Sequence, residues 1–167
     1  EFSISGMTLM ESAGTSAYQL MRSKWPYAKS IHVLCGPGNN GGDGYILARL
    51  ANEDNFLVKL HHVGDHEKLA GDALQAAERC IASGLEPVQY VFGHDFMRKL
   101  NECDVIVDAL LGTGLDREVT GQWQEVIKTI NRCDTPVLSL DIPSGLNADT
   151  GSIMGCAVHA EATMTFI

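Results

Sequence analysis

Basic residues are scarce in this chain. Twelve Lys and Arg stand against twenty-one Asp and Glu, a net charge of −9 over 167 residues. No Lys/Arg cluster relieves that balance, so nucleic acid and anionic membrane surfaces are excluded as natural partners. No apolar run approaches the roughly 20 residues of a membrane span. The five cysteines (Cys35, Cys80, Cys103, Cys133 and Cys156) are odd in number, far apart and free of any C-x-x-C pair. That excludes a disulfide framework and a zinc ribbon, and it reads as reduced thiols in a cytoplasmic setting. The histidines show no metal-ligand spacing, and His61 and His62, adjacent on a strand, face opposite sides. There is no G-x-S-x-G elbow, no H-E-x-x-H and no G-x-x-x-x-G-K-[ST]. Serine-hydrolase, zinc-protease and Walker-type readings therefore have no footing.

What is present is ordinary for a globular protein: 45% apolar and 20% charged residues, enough to bury one core. Without repeats or a dividing linker, residues 1–167 read as one domain. Its final stretch, Ala162 to Ile167, resembles a strand interrupted midway, as in a piece of a longer protein truncated at both ends. Strand and helix signals alternate. Strands are expected at about 31–35, 57–63, 88–92, 104–109, 136–141 and 162–167. Helices are expected at 7–23, 43–54, 66–83, 95–101 and 121–132. Runs such as Val105-Ile106-Val107 are apolar throughout, which suits strands covered on both faces. The expected fold is a three-layer αβα, Rossmann-like domain with a mostly parallel sheet. Met7, Met10 and Met21, with Leu9 and Leu20, read as core or interface packing.

Three polar segments sit where apolar strands end, the edge at which parallel sheets bind ligands. The first, residues 35–44, runs Cys-Gly-Pro-Gly-Asn-Asn-Gly-Gly-Asp-Gly between a strand and a helix. Gly36, Gly38 and Gly41 match G-x-G-x-x-G, and a helix N-terminus there offers free N–H groups to a phosphate. Asp65 stands near the ribose-binding place of a dinucleotide fold, yet it equally suits a helix cap. The second segment, Asp108 to Glu118, sets a carboxylate beside Gly112-Thr113-Gly114. The third, Asp141-Ile-Pro-Ser-Gly145, repeats that logic, and Asp141 is a candidate general acid or base. Asn40, Asp108 and Ser144 would together offer the oxygen donors that a hard cation prefers.

Taken together, Leu9-Met-Glu-Ser-Ala-Gly14, the Gly36–Gly44 segment, Val107-Asp-Ala-Leu-Leu-Gly-Thr-Gly-Leu115 and Asp141-Ile-Pro-Ser-Gly145 resemble the NAD(P)H-hydrate epimerase family. The resemblance covers nearly the whole chain. It implies an isomerase of nicotinamide cofactor repair that interconverts the R and S epimers of hydrated NADH and NADPH. It further implies substrate contacts from Asn39, Asn40, Gly41, Gly42 and Asp43, from Gly112, Thr113, Gly114, Leu115, Asp116, Arg117 and Glu118, and from Asp141. One potassium ion (K+) per subunit would sit on Asn40, Asp108 and Ser144. A fused or separate NAD(P)H-hydrate dehydratase, and assembly as a homo-oligomer, are the partners it implies. The rival readings are an NAD(P)-dependent oxidoreductase, which the glycine fingerprint alone favours, and a non-catalytic nucleotide-binding scaffold.

Overall fold

The computed structural model describes residues 4–90 and 93–166. In chain order the elements are α1 (Gly6–Lys24), β1 (Ser30–Cys35), α2 (Asn39–Glu53), β2 (Leu57–His62), α3 (Gly71–Ala82), β3 (Val88–Gln89), α4 (His94–Asn101), β4 (Val105–Ala109), α5 (Gly121–Asn131), β5 (Val137–Leu140) and β6 (Ala162–Met164). All six strands pair in parallel, in the order β3-β2-β1-β4-β5-β6. The expected three-layer αβα architecture is therefore present, with a sheet that is wholly parallel.

Alternation along each strand builds two cores. Ile31, Val33 and Cys35 of β1, with Val105, Val107 and Ala109 of β4, pack under α1, α2 and α3. Leu34, Ile106 and Val137 point the other way, against α4 and α5. Burial on both faces explains why the central strands read as unbroken apolar runs. The methionines of α1 belong to the first core: Met7, Met10 and Met21 are all buried within the chain. Among the described residues no helix is long and apolar enough to cross a membrane.

Two helices differ most from the sequence expectation. The helix expected from residue 43 begins at Asn39, so most of the glycine-rich stretch is the first two turns of α2. Added Cβ atoms show why those turns are glycine. One at Gly41 would lie 2.0 Å from the Gly36 carbonyl oxygen, and one at Gly44 would lie 2.6 Å from Ala109 Cβ. Close packing here overrides the roughly 1 kcal/mol that each helical glycine costs. The helix expected over 66–83 is broken: Asp65 caps a single turn at His66–Lys68, and Gly71, at φ +55°, starts α3 afresh. Asp65 is thereby a cap, its carboxylate accepting from the Glu67 N–H at 3.0 Å. The end of the third expected strand, residues 91–92, and Ile167 lie outside the described residues.

His61 and His62 do face opposite sides. His62 Nδ1 meets the Tyr45 hydroxyl at 2.7 Å beneath α2, while His61 Nε2 meets His32 Nδ1 at 2.8 Å beside Phe96. Burial above all, with Lys59 and Lys99 adding repulsion, holds His32 at about 4; burial, then His32 itself, holds His61 at about 3. Both lie below the unfolded value of 6.5, so the unfolded chain takes up protons first on acidification. Stability complete above pH 6.5 should fall as pH drops toward 4. Urea unfolding across that range should show the loss, and a His32→Leu/His61→Leu double variant should flatten it.

Candidate active site

The strand order places a switch point between β1 and β4, where chain segments leave the sheet in opposite directions and open a crevice. All three polar segments emerge there. The first turns of α2 follow β1, the loop of residues 110–120 follows β4, and the turn at 141–146 follows β5.

Asp108 fastens the second segment to the third. It is fully buried on β4, directly opposite Ser139 of β5. Its carboxylate accepts from the Ser139 hydroxyl (2.7 Å), the Ser144 N–H (2.9 Å), the Ser144 hydroxyl (2.5 Å) and the Leu110 N–H (3.3 Å). The Ser144 oxygen in turn accepts from the Leu111 N–H at 2.9 Å. Burial pushes the Asp108 carboxyl upward, and these hydrogen bonds oppose it.

Asp141 joins the same frame. It is one of two non-glycine residues with positive φ among those described, at +66°. Aspartate tolerates this left-handed region better than most residues, and such conformations gather at functional sites. Its backbone N–H bonds the Met164 carbonyl, and its Oδ2 accepts from the Thr113 N–H at 2.9 Å. A Cβ added at Gly112 would fall 2.8 Å from that oxygen and 3.2 Å from Asn40 Cβ. Gly112 is thus the point where all three segments touch.

Asn39, Asn40, Asp43 and Asp141 line a cleft of about 550 Å³, walled on its far side by Leu9, Met10, Ser12, Ala13 and Ser16 of α1. Asp43 is buried there, and burial together with the charge of Asp141 raises its carboxyl to about 7. Asn40 is only 7% exposed, yet neither its Oδ1 nor its Nδ2 has a protein partner. An orphaned buried amide is expensive unless something meets it. Its oxygen, the Asp108 carboxylate with no basic side chain bonded to it, and the Ser144 hydroxyl are all oxygen donors. Donors of that chemistry suit a hard cation, monovalent or divalent. Among the described residues no three His, Cys, Asp or Glu gather in a way that would hold a softer metal.

The family profile described as YjeF-related protein N-terminus matches residues 6–167. The chain belongs to that family. Similar proteins include the bifunctional NAD(P)H-hydrate repair enzyme Nnr of Coxiella burnetii, 44% identical over all of this chain and 33% of its own length. Another is the NAD(P)H-hydrate epimerase of Limosilactobacillus fermentum, 36% identical over 99% of this chain and 77% of its own length. The chain thus spans about a third of the bifunctional relative. A crystal structure of the yeast protein ynu0 shares the fold, with a TM-score of 0.84 and 22% identity over 96% of this chain and 70% of that one.

Within this YjeF-type domain the residues named from sequence divide into three groups. Asn39, Asn40, Asp43 and Asp141 share the cleft. Gly41 and Gly42 are buried helix residues pressed against Gly36 and Met10, so they shape the wall and do not face the opening. Gly112 and Thr113 touch Asp141, whereas Gly114, Leu115, Asp116, Arg117 and Glu118 lie beyond the cleft wall, with the Asp116–Arg117 pair exposed. The face of α1, Asp72, Thr165 and Phe166 also line the cleft and escaped the sequence reading. For α1 the sequence offered only the Leu9–Gly14 stretch that carries part of the family resemblance, with no local sign that Ser12, Ala13 and Ser16 face a cleft.

The Asp108 frame has a measurable consequence. Asp108→Asn turns an amide NH2 toward groups that are themselves donors, leaving buried hydrogens unpaired. The variant should lose about 2–3 kcal/mol of unfolding free energy in denaturant titration, far more than Asp116→Asn on the exposed loop.

Proposed function

We propose that this chain is an NAD(P)H-hydrate epimerase, an isomerase interconverting the R and S epimers of hydrated NADH and NADPH. The observation that carries the reading is the meeting of Asn40, Asp43 and Asp141 in one cleft at the N-terminus of α2. The name borne by the Limosilactobacillus fermentum relative supports it.

Epimerisation inverts the ring carbon that bears the added hydroxyl. The ring nitrogen's lone pair expels that hydroxyl as water, provided that a proton reaches it. The planar iminium cation left behind accepts water on its other face, and that water gives up a proton. One acid and one base suffice, with no net change in atoms or electrons. Asp43, raised to about 7, keeps a proton available near neutrality and suits the acid. Asp141, held by the Thr113 N–H, suits the base. Substrate phosphates would meet the N-terminal turn of α2, where Gly38 caps the helix without a side chain and Asn39 follows exposed. Gly112 to Glu118 would close over them, bringing Arg117 as the loop's cation. The ion proposed for Asn40, Asp108 and Ser144 is potassium, which would supply a fixed positive charge near the phosphates. The S epimer would then pass to a dehydratase, fused or separate, and the unpaired cysteines suit a reducing, cytoplasmic setting.

Asp141→Asn should lower epimerisation of purified S epimer, followed by chromatography, by about 10²-fold or more, while binding of NADP persists. Undiminished turnover would remove Asp141 from the chemistry. Because Asp43 must hold its proton, wild-type turnover should decline as pH rises through about 7, and Asp43→Asn should abolish that limb of the profile.

A further inference from the structure

We infer that this cleft selects a positively charged planar ring over its neutral counterpart, so that oxidised pyridine nucleotide competes with the hydrate for it. The inference rests on the proposed function for the identity of the ligand, though not for the charge of the site. Three acidic side chains line the cleft (Asp43, Asp72 and Asp141), Asp43 as the one that holds a proton near neutrality, and no Lys, Arg or His joins them among its lining residues. Asp72 lies on the first turn of α3, where a helix dipole alone could account for one carboxylate. It packs against Gly6 of α1 at the rim of the same cleft: a Cβ added at Gly6 would lie 2.2 Å from Asp72 Oδ2. The second, independent observation is Asn40, more than nine-tenths buried, lining this cleft with both amide atoms unpartnered. With its oxygen given to the proposed ion, its NH2 is left to donate to the carbonyl of a carboxamide substituent on a ring. Phe166 and Met10 add an aromatic face and a polarisable sulfur, surfaces to which a flat cation is drawn.

The nicotinamide ring carries a full positive charge in oxidised cofactor. It is neutral in the reduced cofactor and in the hydrate. The iminium formed midway through epimerisation is positive again. A cleft complementary to that intermediate therefore also fits the oxidised ring better than either neutral form. The enzyme would then be held back whenever oxidised nucleotide is abundant, and released as the reduced pool, the source of its substrate, grows.

The test uses the whole chain and two ring probes that differ in charge. Cationic 1-methylnicotinamide and neutral nicotinamide are titrated by ligand-observed NMR, and NADP and NADPH are compared by calorimetry. The cationic ring should bind about tenfold tighter or more, the scale set by nearby carboxylates in a half-open cleft. Asp72→Asn should shrink the ratio at least threefold, and NADP should raise the KM for S epimer while leaving kcat unchanged. Equal affinities, or binding of neither ring, would overturn the inference. Charge selectivity in a protein that fails to epimerise the hydrate would sink the proposed function and leave this inference standing.

Discussion

The contacts that bind the second and third polar segments into one frame can be traced back to the buried carboxylate of Asp108. In a low-dielectric interior such a group must be met by donors or give up its charge. Four donors meet it, from Ser139, Ser144 and the Leu110 amide. Satisfying Asp108 therefore locks the end of β4 to the turn after β5. The lock extends outward: Ser144 takes the Leu111 amide, the chain reaches Gly112, and the Thr113 amide bonds Asp141. The backbone of Asp141 then pins the end of β6 through Met164. A candidate catalytic carboxylate is thus positioned by another that never touches the cleft. The left-handed backbone at Asp141 is sustained by this surrounding frame.

The glycines serve a different end from the one their spacing suggests. Gly36 and Gly41 match a dinucleotide fingerprint, yet the space denied them is occupied by this protein's own backbone. A Cβ at Gly36 would meet the Leu110 carbonyl at 2.0 Å, and one at Gly14 would meet Ile46 at 2.6 Å. Their absent side chains let α2 sink between α1 and the sheet until its N-terminus reaches the crevice. Only Gly38, with open space before it, remains free to face a ligand. Of the three glycines the motif counts, one faces open space at the helix N-terminus.

This explains which parts of the molecule could be read from the sequence. The central strands were legible because burial on both faces writes itself as uninterrupted apolar residues, as in Val105 to Val107. The convergence of three segments followed from parallel topology alone. The start of α2 was hidden because Asn-Asn-Gly-Gly-Asp-Gly has the propensity of a turn, and only tertiary packing makes it helical. The break before α3 was hidden in a single residue, Gly71, whose positive φ has no signature of its own. The far wall of the cleft was hidden because α1 is apolar on one face and small on another. Met21 looks into the core, Ser12 into the crevice, and Met10 touches both. Asp72 and Phe166 came to the cleft from distant elements, with no local pattern to mark them.

What remains is how so acidic a protein would hold the several negative charges of the proposed nucleotide. The structure divides the work along one helix. The first turn of α2 presents backbone amides and a partial positive charge, needing no basic side chain. One turn further in, Asp43 faces the cleft together with Asp141 and Asp72. On the proposed function, anion and cation would be received on adjoining parts of one cleft, by groups that cannot exchange roles. A phosphate pushed inward would meet acidic side chains, and a positive ring moved outward would meet the helix terminus. That polarity would orient the proposed nucleotide. The net charge of −9 does not oppose it, because the amides act at contact distance while the distant carboxylates are screened by salt.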